Sequence, residues 1–199
     1  MRTICEPNQI ISRSKQEVYE RHRSGDTSDI IETILYADGR SGGFVANGVE
    51  CLRGANQYET LRNVWGFVKR NITYKADRAG HERVKSPGAL FAIGSGDCKS
   101  YSIAIGAILR ALGISYRYRF TAYGPGDVTH VYVVADGNQG TVILDAVHKK
   151  FDEEVGYYYK KDIRPKKSGM NGICGIQVDF SRWVITLSLL LLLFNLARK

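Results

Sequence analysis

The sequence predicts an α+β fold in which N-terminal helices pack on an antiparallel β-sheet, followed by a hydrophobic C-terminal helix. Two helical stripes and one change of period carry that reading. Between Gln57 and Arg70, Tyr58, Leu61, Val64, Trp65 and Val68 recur at three, three, one and three, the apolar face of an amphipathic helix. Between Cys98 and Gly113, Tyr101, Ile105, Ile108, Leu109 and Leu112 recur at four, three, one and three. After Gly113 the period drops to two, with Tyr116, Tyr118 and Phe120 alternating with Arg117 and Arg119.

With 199 residues, 44% hydrophobic and 24% charged, the chain holds one domain of ordinary globular composition plus appendages. The composition shifts divide it into an N-terminal helical extension (1–56), a core (57–150), a basic and aromatic extension or linker (151–182) and a hydrophobic segment (183–199). The net charge of +8 favours anionic surfaces in general. However, no zinc-finger spacing, basic heptad region or aromatic RNA-binding signature accompanies the run Lys160–Lys167. It reads as a solvated face, and no specific nucleic acid is expected.

Four cysteines, Cys5, Cys51, Cys98 and Cys174, lie far apart without a CxxC pair. Zinc spacing and a disulfide scaffold are therefore absent, and reduced thiols are expected. No acidic loop has calcium-ligand spacing, so nothing calls for a metal or cofactor. The charged N-terminus, MRTICEPNQIISRSKQ, is unlike a secretory leader, which points to the cytosolic side.

Residues 1–14 read as an irregular arm, and 15–23 as helix-compatible. Ser28 or Asp29 can cap a short helix with Ile30, Ile31, Ile34 and Leu35 as its stripe and Asp38-Gly39 as its stop. Arg40–Gly48 reads as a loop. After the 57–70 helix come the β-prone Ile72-Thr73-Tyr74 and a polar loop, 75–86, with His81 as an exposed loop residue. Pro87 then sets the approach to Gly94-Ser95-Gly96-Asp97, a run too rich in glycine to continue any element.

Asp97 is a good N-cap type, which makes Cys98 the first residue of the second helix. Unpaired N–H groups and the positive end of the dipole there favour a thiolate and can receive the charge of a tetrahedral intermediate. Beyond the YGPGD loop (123–127), Val128–Ala135 and Thr141–Ala146 form a hairpin. A four-residue loop, Asp136–Gln139, pairs Ala135 with Gly140 and sets Asp145 opposite His130 on one face. Cys98, His130 and Asp145 are then the parts of a thiol-nucleophile site: nucleophile, proton carrier and orienting carboxylate.

Those segments resemble the transglutaminase-like superfamily of papain-fold cysteine enzymes. The matching stretches are ITYKAD (72–77), GDCKSYS with LRALGI (109–114), the aromatic strand after it, THVYVV around His130 and VILDAV around Asp145. The resemblance implies a papain-like/transglutaminase-like core with Cys98, His130 and Asp145 as catalytic residues. It assigns no upstream side chain to the oxyanion, for which the Cys98 N–H is the one donor named.

Its implied activity is a cysteine hydrolase, a peptidase or amidase working through an acyl-thioester on a protein or peptide substrate. Protein-glutamine cross-linking is an alternative. Another is a structural or assembly protein, as in a phage or virus particle. The tail Trp183–Ala197 spans about 21 Å as a helix, short of a bilayer core of about 30 Å. A membrane anchor, a helix buried on this domain or a partner subunit, and an interfacial segment stand as its three readings. Localisation is accordingly read as the cytoplasmic side, membrane-associated through the tail, or a virion.

Overall fold

The computed structural model describes residues 5–20, 27–78 and 82–166; His81, the hydrophobic tail and Cys174 lie outside the described residues. Helix α1 (Pro7–Ile10) ends on Ile10, which with Ile11 is fully buried. Strand β1 (Val18–Glu20) pairs antiparallel with β3 (Arg83–Lys85). The helix expected over 15–23 is thus replaced by a strand in the described part of that stretch, because a long-range partner overrides weak local propensity.

Helix α2 (Thr27–Arg40) runs past the expected stop at Asp38-Gly39, and two 3-10 turns follow, Ser41–Phe44 and Asn47–Leu52. Asp38 is buried inside α2 rather than ending it.

Helix α3 (Gln57–Asn71) starts at Asn56, whose side chain accepts from the Glu59 N–H at 2.9 Å. Then come β2 (Thr73–Tyr74), β3 and a helix not foreseen from sequence, α4 (Pro87–Ile93). Pro87 is its first residue, Ser86 caps it by accepting from the Ala89 N–H at 3.1 Å, and Gly94 ends it at φ +76°. Strand β4 (Ser95–Gly96) runs parallel to β2, and α5 (Cys98–Ala111) follows at once.

Four antiparallel strands complete the fold: β5 (Tyr116–Ala122), β6 (His130–Gly137), β7 (Gly140–Leu144) and β8 (Tyr159–Ile163), in the order β7-β6-β5-β8. The fourth strand comes from the stretch read as an extension in sequence. One core joins Ile103, Ile105, Ile108 and Leu109 of α5 to Tyr118, Phe120, Val131 and Val133 of the sheet. Ser102 ties the helix to the sheet by donating to the Val131 carbonyl at 3.1 Å.

Two sequence expectations are corrected. The β6–β7 turn has two residues, Asn138 and Gln139, with Gly137 paired to Gly140 and Ala135 to Val142. Gly140 at φ +127° permits this tighter turn. The register is displaced by two from the expected one, and a shift of two returns every side chain to its own face. Second, Cys5 and Cys51 form a disulfide across 46 residues, with Cα atoms 5.8 Å apart. Packing of α1 against the second 3-10 turn brings them together, a contact that spacing does not reveal. Cys98 is a free thiol.

At the far end of α5, Arg110 pairs with Asp38, and the Tyr116 and Tyr118 hydroxyls donate to the same Asp38 oxygen at 2.6 and 2.5 Å. A Cβ on Gly106 would come 2.4 Å from the Tyr118 hydroxyl, which this network holds in place. Asp38→Asn is expected to lower unfolding free energy by about 3–5 kcal/mol, since it strips a partly buried guanidinium of its counter-charge. Gly106→Ala should lower it by about 1–3 kcal/mol through overpacking. Urea unfolding measures both, and a loss under about 1 kcal/mol at Asp38 would contradict a buried network.

Candidate active site

The pairing of β2 with β4 delivers the chain to α5 in one defined turn. Asp97 adopts extended backbone at the N-cap, and its side chain accepts from the Ser100 N–H at 3.2 Å and the Ser100 hydroxyl at 3.1 Å. Cys98, as the first helical residue, has no intrahelical acceptor for its N–H.

Next to it Lys99 is buried, paired with Asp97, with Glu82 at 2.5 Å and with Asp77 at 3.6 Å. Burial alone would pull its ammonium down, but these carboxylates win and hold it above the ordinary lysine range. Burial pushes the Asp97 carboxyl up, and Lys99 offsets only part of that. Asp77, Glu82 and Asp97 offer a cation-sized cluster of oxygens, and Lys99 already lies among them.

The structure brings together the three residues singled out in the sequence. The His130 Nε2 atom lies 2.7 Å from Asp145 Oδ2, and the other carboxylate oxygen accepts from the N–H groups of Val147 and His148 at 3.0 and 3.3 Å. Cys98 lies beside the same imidazole and acts to raise it. With Nε2 on the carboxylate, Nδ1 is the ring nitrogen left for the thiol.

His130 is flanked by Tyr123 and Tyr132, with ring centroids 6.0 and 5.6 Å away, and Tyr132 donates to Glu154 at 2.6 Å. Burial acts to lower the imidazole, but the hydrogen bonds and charges of Asp145 and Cys98 outweigh it, and the ring is pushed up to about 10.

These groups open into a cavity of about 350 Å³, whose lining includes Tyr74, Asp77, Cys98, Phe120 and His130. Three larger grooves, of about 850, 550 and 460 Å³, lie beside the Cys5–Cys51 disulfide, at the β6–β7 turn and along residues 75–78, and none of them holds a free thiol. Chemistry rather than volume therefore selects the smaller cleft.

Sequence reasoning missed two of its features. Tyr74, half exposed, stands on the cleft wall, where burial and the charges of Cys98 and Asp97 raise its phenol. Its place in ITYKAD, upstream of the thiol, was the available signal. Lys99 was hidden because a lysine in a helix normally reads as exposed.

A thiol at the start of a buried helix, beside an imidazole that meets a carboxylate beyond the next strand, describes an α+β fold of papain-like type. The profile of the Transglutaminase-like superfamily matches residues 49–162, more than half of the chain. The protein belongs to that superfamily.

Among solved structures, a protein from Cytophaga hutchinsonii assigned as a cysteine protease is 17% identical, with TM-score 0.40, over 62% of this chain and 39% of its own. One from Parabacteroides distasonis assigned as a protease is 13% identical, with TM-score 0.44, over 60% and 26%. A structure described as a TGase is 12% identical, with TM-score 0.38, over 67% and 35%. The chain thus spans well under half the length of these proteins. No curated protein matches it.

A folded-state imidazole near 10 against about 6.5 unfolded stabilises the protein fully below pH 6.5, and that contribution is lost as pH rises through 10. The melting temperature should therefore fall between pH 7 and pH 10, with a shallower slope in Asp145→Asn. A wild-type protein whose melting temperature is flat over that window would contradict the raised imidazole.

Proposed function

We propose that the protein is a cysteine hydrolase, cleaving a peptide or amide bond through an acyl-thioester on Cys98. The observation that carries this reading is the 2.7 Å contact of His130 with Asp145 beside a free thiol at a helix N-terminus.

In the forward step the Cys98 sulfur attacks the acyl carbon and a C–S bond forms. The imidazolium of His130 gives its proton to the leaving amine as the C–N bond breaks. In the second step His130 takes a proton from water, the oxygen adds to the thioester, and the C–S bond breaks to release the acid. Asp145 keeps the ring oriented throughout. The Cys98 N–H and the Tyr74 hydroxyl receive the developing oxyanion, the phenol staying protonated because its ionisation is raised. Half-exposed Tyr74 on the cleft wall leaves the site open to water as the acceptor.

Iodoacetamide at pH 7 should alkylate Cys98 in the full-length protein, not at all in Cys98→Ser, and about 100-fold more slowly in His130→Ala. Tyr74→Phe should leave alkylation unchanged yet slow release of an aminocoumarin from acyl-peptide reporters by about tenfold or more. Alkylation indifferent to His130 would reduce the domain to a binding module. Incorporation of a fluorescent primary amine into casein would replace hydrolysis by acyl transfer.

A further inference from the structure

The turn that carries Asp145 lies outside the sheet, since the β6–β7 ladder ends at Leu144. Helix α3 holds it instead. The indole N–H of Trp65 donates to the Asp145 carbonyl at 2.8 Å, and one turn on, Lys69 Nζ donates to the carbonyls of Ala146 at 3.0 Å and His148 at 2.6 Å. The ammonium also sits 5.4 Å from the Trp65 ring centroid, so the two side chains brace each other. Within the turn the Asp145 carboxylate is bonded to the Val147 and His148 N–H groups. Its direction is therefore fixed by the backbone that Trp65 and Lys69 grip.

We propose that Trp65 and Lys69 are positioning residues that lock the 145–148 turn so that the Asp145 carboxylate meets the His130 ring. The proposal rests on the Cys98–His130–Asp145 reading above. Burial lowers the Lys69 ammonium and the Asp145 charge partly offsets this, as expected for a cation held for its hydrogen bonds in a half-dry place. The groups facing His130 are Cys98, Asp145 and the flanking Tyr123 and Tyr132, the latter bonded to Glu154.

The decisive readout is the His130 titration, followed by NMR on full-length protein labelled at its histidines and assigned with His130→Gln. Loss of the grip frees the carboxylate from the ring, so Lys69→Met should lower the His130 pKa by about a unit or more. A Lys69 acting only as a nearby positive charge would, when removed, raise that pKa. A purely structural Lys69 would leave it unchanged while the melting temperature fell. Both of those outcomes overturn the proposal.

Trp65→Phe keeps an aromatic ring at the position that faces Phe151 and removes the N–H donor together with the five-membered ring. It should shift His130 in the same direction and slow Cys98 alkylation by about tenfold, because small misplacements near the reacting atoms are amplified in rate. Folding failure of the lysine variant thus leaves the tryptophan variant to decide. A wild-type His130 titrating near 6.5 would overturn the underlying site itself, whereas a raised wild-type value unmoved by either variant overturns only the positioning role.

Discussion

Helix α5 is buried over twelve consecutive residues, Cys98 to Leu109, and that constraint governs the rest of the molecule. A helix without a wet face cannot leave its terminal N–H and C=O groups to water, so both ends need polar partners from the protein. At the start Asp97 accepts from the Ser100 N–H, with Lys99, Asp77 and Glu82 clustered around its charge. At the other end the Arg110 and Leu109 carbonyls accept from the Gly113 and Ile114 N–H groups, and the Arg110 side chain reaches Asp38, itself held by Tyr116 and Tyr118. Between the ends, Gly106 lets the helix sit against the Tyr118 hydroxyl, and Ser102 bonds to the Val131 carbonyl, next to His130. The helix can neither slide nor turn without breaking a buried polar contact, and Cys98 inherits that fixity.

The other half of the site depends on where a strand stops. His130 is the first residue of β6, and Asp145 follows the last residue of β7. Outside the ladder, one oxygen of Asp145 is free to order its own turn and the other to meet the ring. The hairpin turn is two residues shorter than the sequence implies, yet the carboxylate still meets the imidazole. Parity explains this: a displacement of one would have turned Asp145 to the opposite face, whereas a displacement of two does not.

What was legible in the sequence was local. The stripes of α3 and α5, the Asp97 cap and the alternation in β5 each rest on neighbours a few residues apart, and each element is found. What was not legible depended on distant partners. Cys5 and Cys51 lack any recognisable spacing, β1 exists only because β3 lies beside it, and Asp38 looks like a helix stop until Arg110 and two tyrosines surround it. Tyr74 and Lys99 belong to the same class, since cleft walls and buried ion clusters are assembled by the fold rather than encoded in a period. Pro87 is the exception, a local signal for α4, because proline after serine is a good helix start.

Net charge is a poor guide to this site. The chain carries +8 overall, yet around the thiol the carboxylates Asp77, Glu82, Asp97 and Asp145 gather about Lys99 and His130. Lys75, Arg78, Arg83 and Lys85 line a separate groove of about 460 Å³ on the other side of Asp77. Arg117 and Arg119 are paired to Asp136, Glu154 and Asp162, so the arginines that alternate along β5 form an ion-pair ladder joining β5, β6 and β8. Lys99 and His130 are held in the cleft by carboxylates, and each is kept charged in a buried place by those partners.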